Sequence, residues 1–263
     1  MTTLTKKEIS SLHDFTDFVE QQTEVHWYRG CENCDKDQLV PTLYRHPTIT
    51  DAVQLFKQEL AILKRFTERA IPYLGSSLKN EEPLSILFSM QHYGVPTRLL
   101  DWSENPLIAL YFALADVKNE PAQAATIWVV DPSAWNAKAL NLDPSPGIIS
   151  PSNDHYLNGY QPGTDLDKRR SDPVFMTGYY DNPRIVVQRG VFALFGTSTK
   201  PMEQTYIDKD YPQDCLVYLF IKAENIASIQ KSLSKIGMTD SAVFPELFGL
   251  AKEIKRQYGY FLV

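Results

Sequence analysis

Between residues 91 and 115 the chain has little conformational freedom. The run Gln91-His92-Tyr93-Gly94-Val95-Pro96-Thr97-Arg98-Leu99-Leu100-Asp101-Trp102-Ser103 leads through Glu104-Asn105-Pro106 into the apolar run 107–115. Gly94 and Pro96 stop any helix arriving from residues 84–90, and the residue before a proline is pushed toward extended geometry. Val95 and residues 97–101 are therefore expected as a strand. Ser103 is expected to cap the next helix, with Pro106 in its first turn, where a missing N–H does little harm. Gln91, His92, Arg98, Asp101, Trp102 and Ser103 thus crowd polar chemistry against Leu99, Leu100 and a very apolar helix. Polar groups at the edge of a core must find partners, and a strand end followed by a helix start is a common ligand position.

The remaining segments read as helices and strands around that stretch. Residues 9–25 carry Ile9, Leu12, Phe15, Phe18 and Val19 at helical spacing, the pattern of an amphipathic helix. Residues 25–30 have strand composition and end at Gly30, with Arg29 at the strand's end. Residues 41–45 are expected to be extended. A long helix follows, capped by Thr50 or Asp51, with Val53, Phe56, Leu60, Leu63, Phe66 and Ala70 at steps of three and four, and Pro72 and Gly75 end it. Strands are expected at 125–130, 184–188, 191–195 and 215–221, and helices at 222–236 and from about residue 244, the last carrying Leu247, Leu250 and Ile254. Residues 133–180 differ: prolines and glycines punctuate a polar segment interleaved with Tyr156, Tyr160, Phe175, Tyr179 and Tyr180. An excursion of that length with that aromatic content is expected to cover a pocket. The economical architecture is a single α+β domain over residues 1–263: a mixed central sheet, N-terminal helices, and a long Pro/Gly-rich insertion at 133–180.

Composition narrows the function. With 263 residues and 43% hydrophobic content, a sizeable core is available. A net charge of -6 argues against sequence-independent nucleic-acid binding as the main role. Three cysteines, Cys31, Cys34 and Cys215, are an odd count that suits a reducing compartment, and no apolar run approaches the ~20 residues of a spanning helix. A cytoplasmic protein with no membrane partner is expected. Cys31-Glu32-Asn33-Cys34 has the spacing of a metal or redox pair, but a zinc site needs four ligands and no second pair exists, so no metal is assigned. Neither a Gly-x-Ser-x-Gly elbow nor a phosphate-binding glycine loop is present, and no carboxylate pair in the strands suggests a nuclease.

Three motifs together carry a resemblance. They are Tyr28-Arg29-Gly30, Pro41-x-Leu43-x-Arg45, and Gln91-His92-x-Gly94-x-Pro96-Thr97-x-Leu99-Leu100-Asp101-x-Ser103-x-x-Pro106-x-x-Ala109-Leu110-x-Phe112-Ala113. This set resembles the FRG domain, named for its Phe-Arg-Gly motif, with tyrosine here in place of phenylalanine. Gln188-x-Gly190-x-Phe192 and Phe244-Pro245-Glu246-Leu247-x-Gly249-Leu250 are similar to later pieces of such proteins, so the resemblance spans about residues 27–252. It implies a bacterial or phage-associated module, of a kind compatible with a defence or toxin-type effector, without a settled reaction.

The order of elements is also similar to that of ADP-ribosyltransferase-like, NAD-consuming enzymes. That likeness implies Arg29 as a dinucleotide anchor, Asp101 and Ser103 as the second element, and Gln188 or Glu246 as the residue beside the reacting ribose. Tyr28, Gln91, His92, Arg98 and Trp102 join Arg29 as nucleotide-binding candidates, with Trp27, Trp102 and Tyr111 as stacking platforms. Chemically, an arginine fork suits phosphate and an acidic group stabilises a cationic ribose. Thr197-Ser198-Thr199 is a rival second element, bracketed as a turn by Gly196 and Pro201. The alternative is a non-catalytic module binding a nucleotide, peptide or nucleic-acid end. In that case Arg29 pairs with Asp101 or Glu246, Gln188 satisfies backbone groups, and Ser103 is only a cap.

Overall fold

The computed structural model describes residues 1–31, 38–75, 81–115, 124–152, 154–180 and 182–260. In chain order its elements are β1 (Thr5–Glu8), α1 (Leu12–Glu20), β2 (Trp27–Cys31), α2 (Ala52–Leu74), α3 (Pro83–His92), β3 (Leu99–Ser103), α4 (Pro106–Leu114) and β4 (Ala125–Val130). There follow α5 (Pro132–Leu140), α6 (Asp154–Leu157), β5 (Val174–Thr177), α7 (Pro183–Gln188), β6 (Gly190–Leu194) and α8 (Met202–Asp208). The chain closes with β7 (Leu216–Ile221), α9 (Ala223–Lys235), α10 (Asp240–Val243) and α11 (Leu247–Gln257). Among the described residues seven strands form one sheet in the order β1-β7-β4-β2-β3-β6-β5. Only the β1–β7 pair is parallel and the other pairs are antiparallel, so the sheet is mixed and the fold is α+β, as the sequence indicates.

Both faces of the sheet are covered. On one, Tyr28, Ile127, Val129 and Leu219 pack against Ala109 and Leu110 of α4 and against α1 and α9. On the other, Trp27, Leu100, Trp102 and Phe175 meet Trp135 of α5 and Met202 of α8. Gly30 lets α4 settle onto β2, because a Cβ there would lie 1.9 Å from the Ala109 carbonyl oxygen and 2.5 Å from the Ala113 nitrogen. Backbone lies against backbone at that point, which only glycine permits.

Several expectations change. Residues 42–45 form a 3-10 turn rather than an extended piece, and α2 runs through Pro72 to Leu74 before Gly75 ends it with a φ of 86°. Residues 184–188 are the helix α7 rather than a strand: Asn182 caps it, its side chain accepting from the Ile185 N–H, and Pro183 takes the first helical position. Ser103 does not cap α4. Asn105 does, its Oδ1 accepting from the Leu107 N–H at 3.0 Å, while Ser103 is the last residue of β3. The segment 133–180 contains α5 and the edge strand β5, and its Ile149, Leu157 and Tyr160 are buried in the core beside α3.

Candidate functional site

The sheet opens between two neighbouring strands. β2 pairs with β4 at five positions and β3 with β6 at five, yet β2 and β3 share the single pair Tyr28–Ser103. Beyond that pair they diverge, and the freed Asp101 carbonyl still needs a donor. Arg29 supplies it, Nη1 donating across the gap at 2.6 Å. Over the gap lies a cavity of about 420 Å³, walled by β2, β3, α3, α4 and α7. Its apolar lining includes the Phe88, Phe112 and Phe192 rings with Ile108 and Ile185. A second cavity of about 450 Å³ adjoins it, lined by Thr42, Tyr93, Gly94 and Val95. Gln91, His92, Asp101 and Arg184 border both, so Asp101 stands at the junction of an aromatic inner chamber and a polar vestibule.

The turn after α3 builds this junction. Gly94 adopts a φ of 71°, and the Gly94 and Val95 N–H groups close the helix end on the carbonyls of Gln91 and Met90. The chain then reverses so that Thr97 faces Gln91. The Leu99 N–H donates to Thr97 Oγ1 at 3.0 Å, Thr97 Oγ1 donates to Gln91 Oε1 at 2.5 Å, and Gln91 Nε2 donates to Asp101 Oδ2 at 2.9 Å. Thr97 thereby fixes which way the Gln91 amide points and leaves its NH₂ for the carboxylate. Asp101 is exposed to solvent along the cleft, yet protein packs closely around it. Desolvation raises its pKa above the ordinary carboxylate value, against the Arg29 charge, the Gln91 hydrogen bond and the Arg184 charge. Because water reaches it through the cleft, this increase is smaller than in a sealed site. Tyr28, whose hydroxyl burial pushes up to about 12, lines the same chamber as a neutral phenol.

The residues singled out from sequence separate. Tyr28, Arg29, Gln91, His92 and Asp101 come together on the cleft. Ser103 and Gln188 also border it but hold the scaffold: Ser103 Oγ donates to the Gln188 carbonyl at 2.7 Å and accepts from the Asn105 N–H at 2.9 Å, and Gln188 Nε2 donates to the Val243 carbonyl at 3.1 Å. Trp102 also borders the inner chamber, but it is buried and its ring meets Phe175 edge-on at 5.2 Å.

Arg98 is fully buried and lines neither chamber. Its Nε pairs with Glu59 Oε1 at 2.5 Å, and its Nη1 and Nη2 donate to the Phe195 and Tyr160 carbonyls at 2.5 and 2.6 Å. It ties α2, the 133–180 segment and the end of β6 to β3, which leaves no fork for a nucleotide. Glu246 is exposed, stands just before α11 without a side-chain capping bond, and does not border the cleft. It makes no ion pair with Arg29 among the described residues. Thr197 donates its N–H to the Arg170 carbonyl and lies in a turn away from the chambers. No described residue of 133–180 lines either chamber. Cys31 borders the inner chamber, while Cys34 lies outside the described residues.

Arg184 was missed because residues 184–188 read as a strand by composition. The helix-start signature Asn182-Pro183 was the signal that would have placed it on a first turn facing the cleft.

Residues 24–122 match the family model of the FRG domain. The chain carries an FRG domain. No curated protein and no solved structure matches it. The FRG match is narrower than the span of the motifs, ending before β4, and it supplies β2, α3, β3 and α4. Arg184, Ile185, Gln188 and Phe192, which complete the cleft, come from beyond the FRG match. Within the FRG domain the motif residues now have physical roles. Arg29 bridges the splayed strands, Gly30 admits α4, and Gln91 and Thr97 set the Asp101 carboxylate at the junction.

Proposed function

We propose that the cleft binds a nucleotide, with NAD as substrate, and that the chain acts as an ADP-ribosyltransferase-like or NAD-cleaving effector of bacterial or phage conflict. One observation carries the reading: among the described residues a single carboxylate, Asp101, lies at the junction of an aromatic chamber and a polar vestibule. A ring seated in the first and a phosphate in the second bring the linking ribose to that carboxylate. When the bond from nicotinamide to ribose breaks, its electron pair leaves with the nicotinamide nitrogen and positive charge develops on the ribosyl carbon. An adjacent carboxylate stabilises that charge. Water or an acceptor side chain then adds to this carbon and loses a proton, giving nicotinamide with ADP-ribose or an ADP-ribosylated acceptor. Arg29 and Gln91 support the ionised Asp101, and Glu246 has no part in this chemistry.

The test is calorimetry with NAD together with a nicotinamide-release assay, run with and without candidate acceptors. Wild type is expected to bind and release nicotinamide, whereas Asp101→Asn binds with similar affinity and loses turnover by roughly 10²-fold or more. A protein that binds neither NAD nor any adenine nucleotide would sink the reading. The second reading, a non-catalytic recognition module, is favoured by the scaffold bonds of Ser103 and Gln188. It predicts nucleotide binding with no turnover in either form.

A further inference from the structure

Resting on the nucleotide reading of the cleft, we infer that Arg184 is the phosphate anchor: the ligand's ring enters the aromatic chamber and its phosphate meets the Arg184 guanidinium in the vestibule. Arg184 borders both chambers and is half-buried. Among the described residues its side chain makes no hydrogen bond or ion pair, so its fork of donors remains available to a ligand. What holds it is an aromatic shelf. The guanidinium carbon lies over the Phe244 ring at 5.0 Å, and that ring is wedged edge-on against Tyr111 and Phe112 of α4. A guanidinium stacked on a ring is oriented without consuming its N–H donors. The late Phe244-Pro245-Glu246 motif thus reaches the site through its phenylalanine rather than its glutamate.

Local charge supports an anion. Asp101 is the one carboxylate bordering either chamber among the described residues, against the guanidinium groups of Arg29 and Arg184. The junction is therefore locally basic in a chain whose formal net charge is -6. Arg29 also keeps a buried Nε without a partner beside its bond to the Asp101 carbonyl. A planar group with a nearby phosphate satisfies both the ring-lined chamber and the surplus of forked donors.

Paired ligands that differ only by a phosphate isolate this contact: nicotinamide mononucleotide against nicotinamide riboside, and AMP against adenosine, each titrated calorimetrically into the full chain. In wild type the phosphate is expected to strengthen binding by roughly tenfold or more in at least one pair. Arg184→Gln should bring that ratio close to one and leave nucleoside affinity unchanged, and Arg184→Lys should keep part of it through charge without the fork. The variants should unfold at the wild-type temperature, since the side chain is half-exposed and makes no protein hydrogen bond. An undiminished ratio in Arg184→Gln overturns the proposal. So does a wild type that binds no phosphate-bearing probe, inorganic pyrophosphate included, more tightly than its phosphate-free counterpart. If AMP or pyrophosphate binds through Arg184 while NAD and nicotinamide mononucleotide do not, the NAD reading fails and the anchor stands.

Discussion

Asp101 and Arg98 are three residues apart and have opposite fates. Asp101 keeps solvent contact in the cleft with its pKa raised by desolvation, so its contribution to stability is present below the ordinary aspartate pKa and is lost as pH rises through the higher folded value. Wherever it is ionised, the Asp101 carboxylate therefore works against the fold. Asp101→Asn is expected to be more stable than wild type at neutral pH, and the difference should shrink as the solution is acidified toward about pH 4, measured by urea denaturation. Equal stabilities across that range would refute the burial argument. Arg98 is sealed with Glu59, and both side chains are fully buried. Removing one partner leaves the other charged and alone, so Arg98→Met should cost about 3–5 kcal/mol, while the double variant Arg98→Met with Glu59→Leu should recover most of the loss. A double variant as unstable as the sum of the two singles would show the pair to be independent.

At the scale of elements, the cleft exists because β2 and β3 separate after one pair while α4 lies flat on β2. Gly30 is the condition for that seating: the clash an added Cβ would meet is with helix backbone, which cannot rotate away as a side chain would. Gly30→Ala should therefore cost at least the ~1–3 kcal/mol usual for overpacking, with a lowered melting temperature in differential scanning calorimetry. An unchanged melting temperature would mean that α4 can lift freely. The apolar run 107–114 was legible as a buried helix, since it has no polar face to offer water. Its cap was not, because Ser103 and Asn105 are both good caps and only the β3–β6 pairing, which extends to Ser103, selects the later residue. The reading of 184–188 as a strand failed for a related reason. Ile185, Val186 and Val187 favour strands by composition, but the Asn182-Pro183 start and the left-handed Arg189 that ends the segment enclose one short helix.

On the scale of the whole molecule, α11 packs with its charged side inward. Arg256 Nε donates to Asp240 Oδ2 at 2.8 Å, Lys252 lies 3.7 Å from Asp240 Oδ1, and Gly249 is its buried residue. Leu247, Leu250, Ile254 and Tyr258, spaced as a core-facing stripe would be, are exposed. Burial works to raise the Asp240 pKa, but the Arg256 and Tyr111 hydrogen bonds with the Arg256 and Lys252 charges outweigh it and hold the carboxyl below its ordinary value. Its stabilisation is present above the unfolded aspartate pKa and is lost as pH falls through the lower folded one. In hydrogen exchange corrected for intrinsic rates, residues 247–257 should lose protection before β4 and β7 as the pH is lowered through and below about 3.9. Leu247→Ser and Ile254→Ser should change stability by no more than about 0.5 kcal/mol, as at other exposed positions. A large loss in either would place that face in a core.

What the sequence determined by itself is whatever depends on short spans of chain: the Gly94-Pro96 break, a strand at Asp101, though it runs over 99–103 rather than 97–101, the buried helix behind it, and the motif that marks the FRG domain. Hydrophobic period, proline and glycine act over a few residues, so these features need no knowledge of distant partners. Only the tertiary structure decided which polar residues are sealed and which line a cleft. Arg29 and Arg98 are both nucleotide-binding candidates in the sequence, and Arg98 is consumed by Glu59, Tyr160 and Phe195, partners 39, 62 and 97 residues away. Arg184 reaches the junction from outside the family match because α7, tied to α10 by the bond from Gln188 to the Val243 carbonyl, walls the cleft. Burial and pairing are set by chain segments far apart in sequence, so no local pattern separates an anchor from a buried tie.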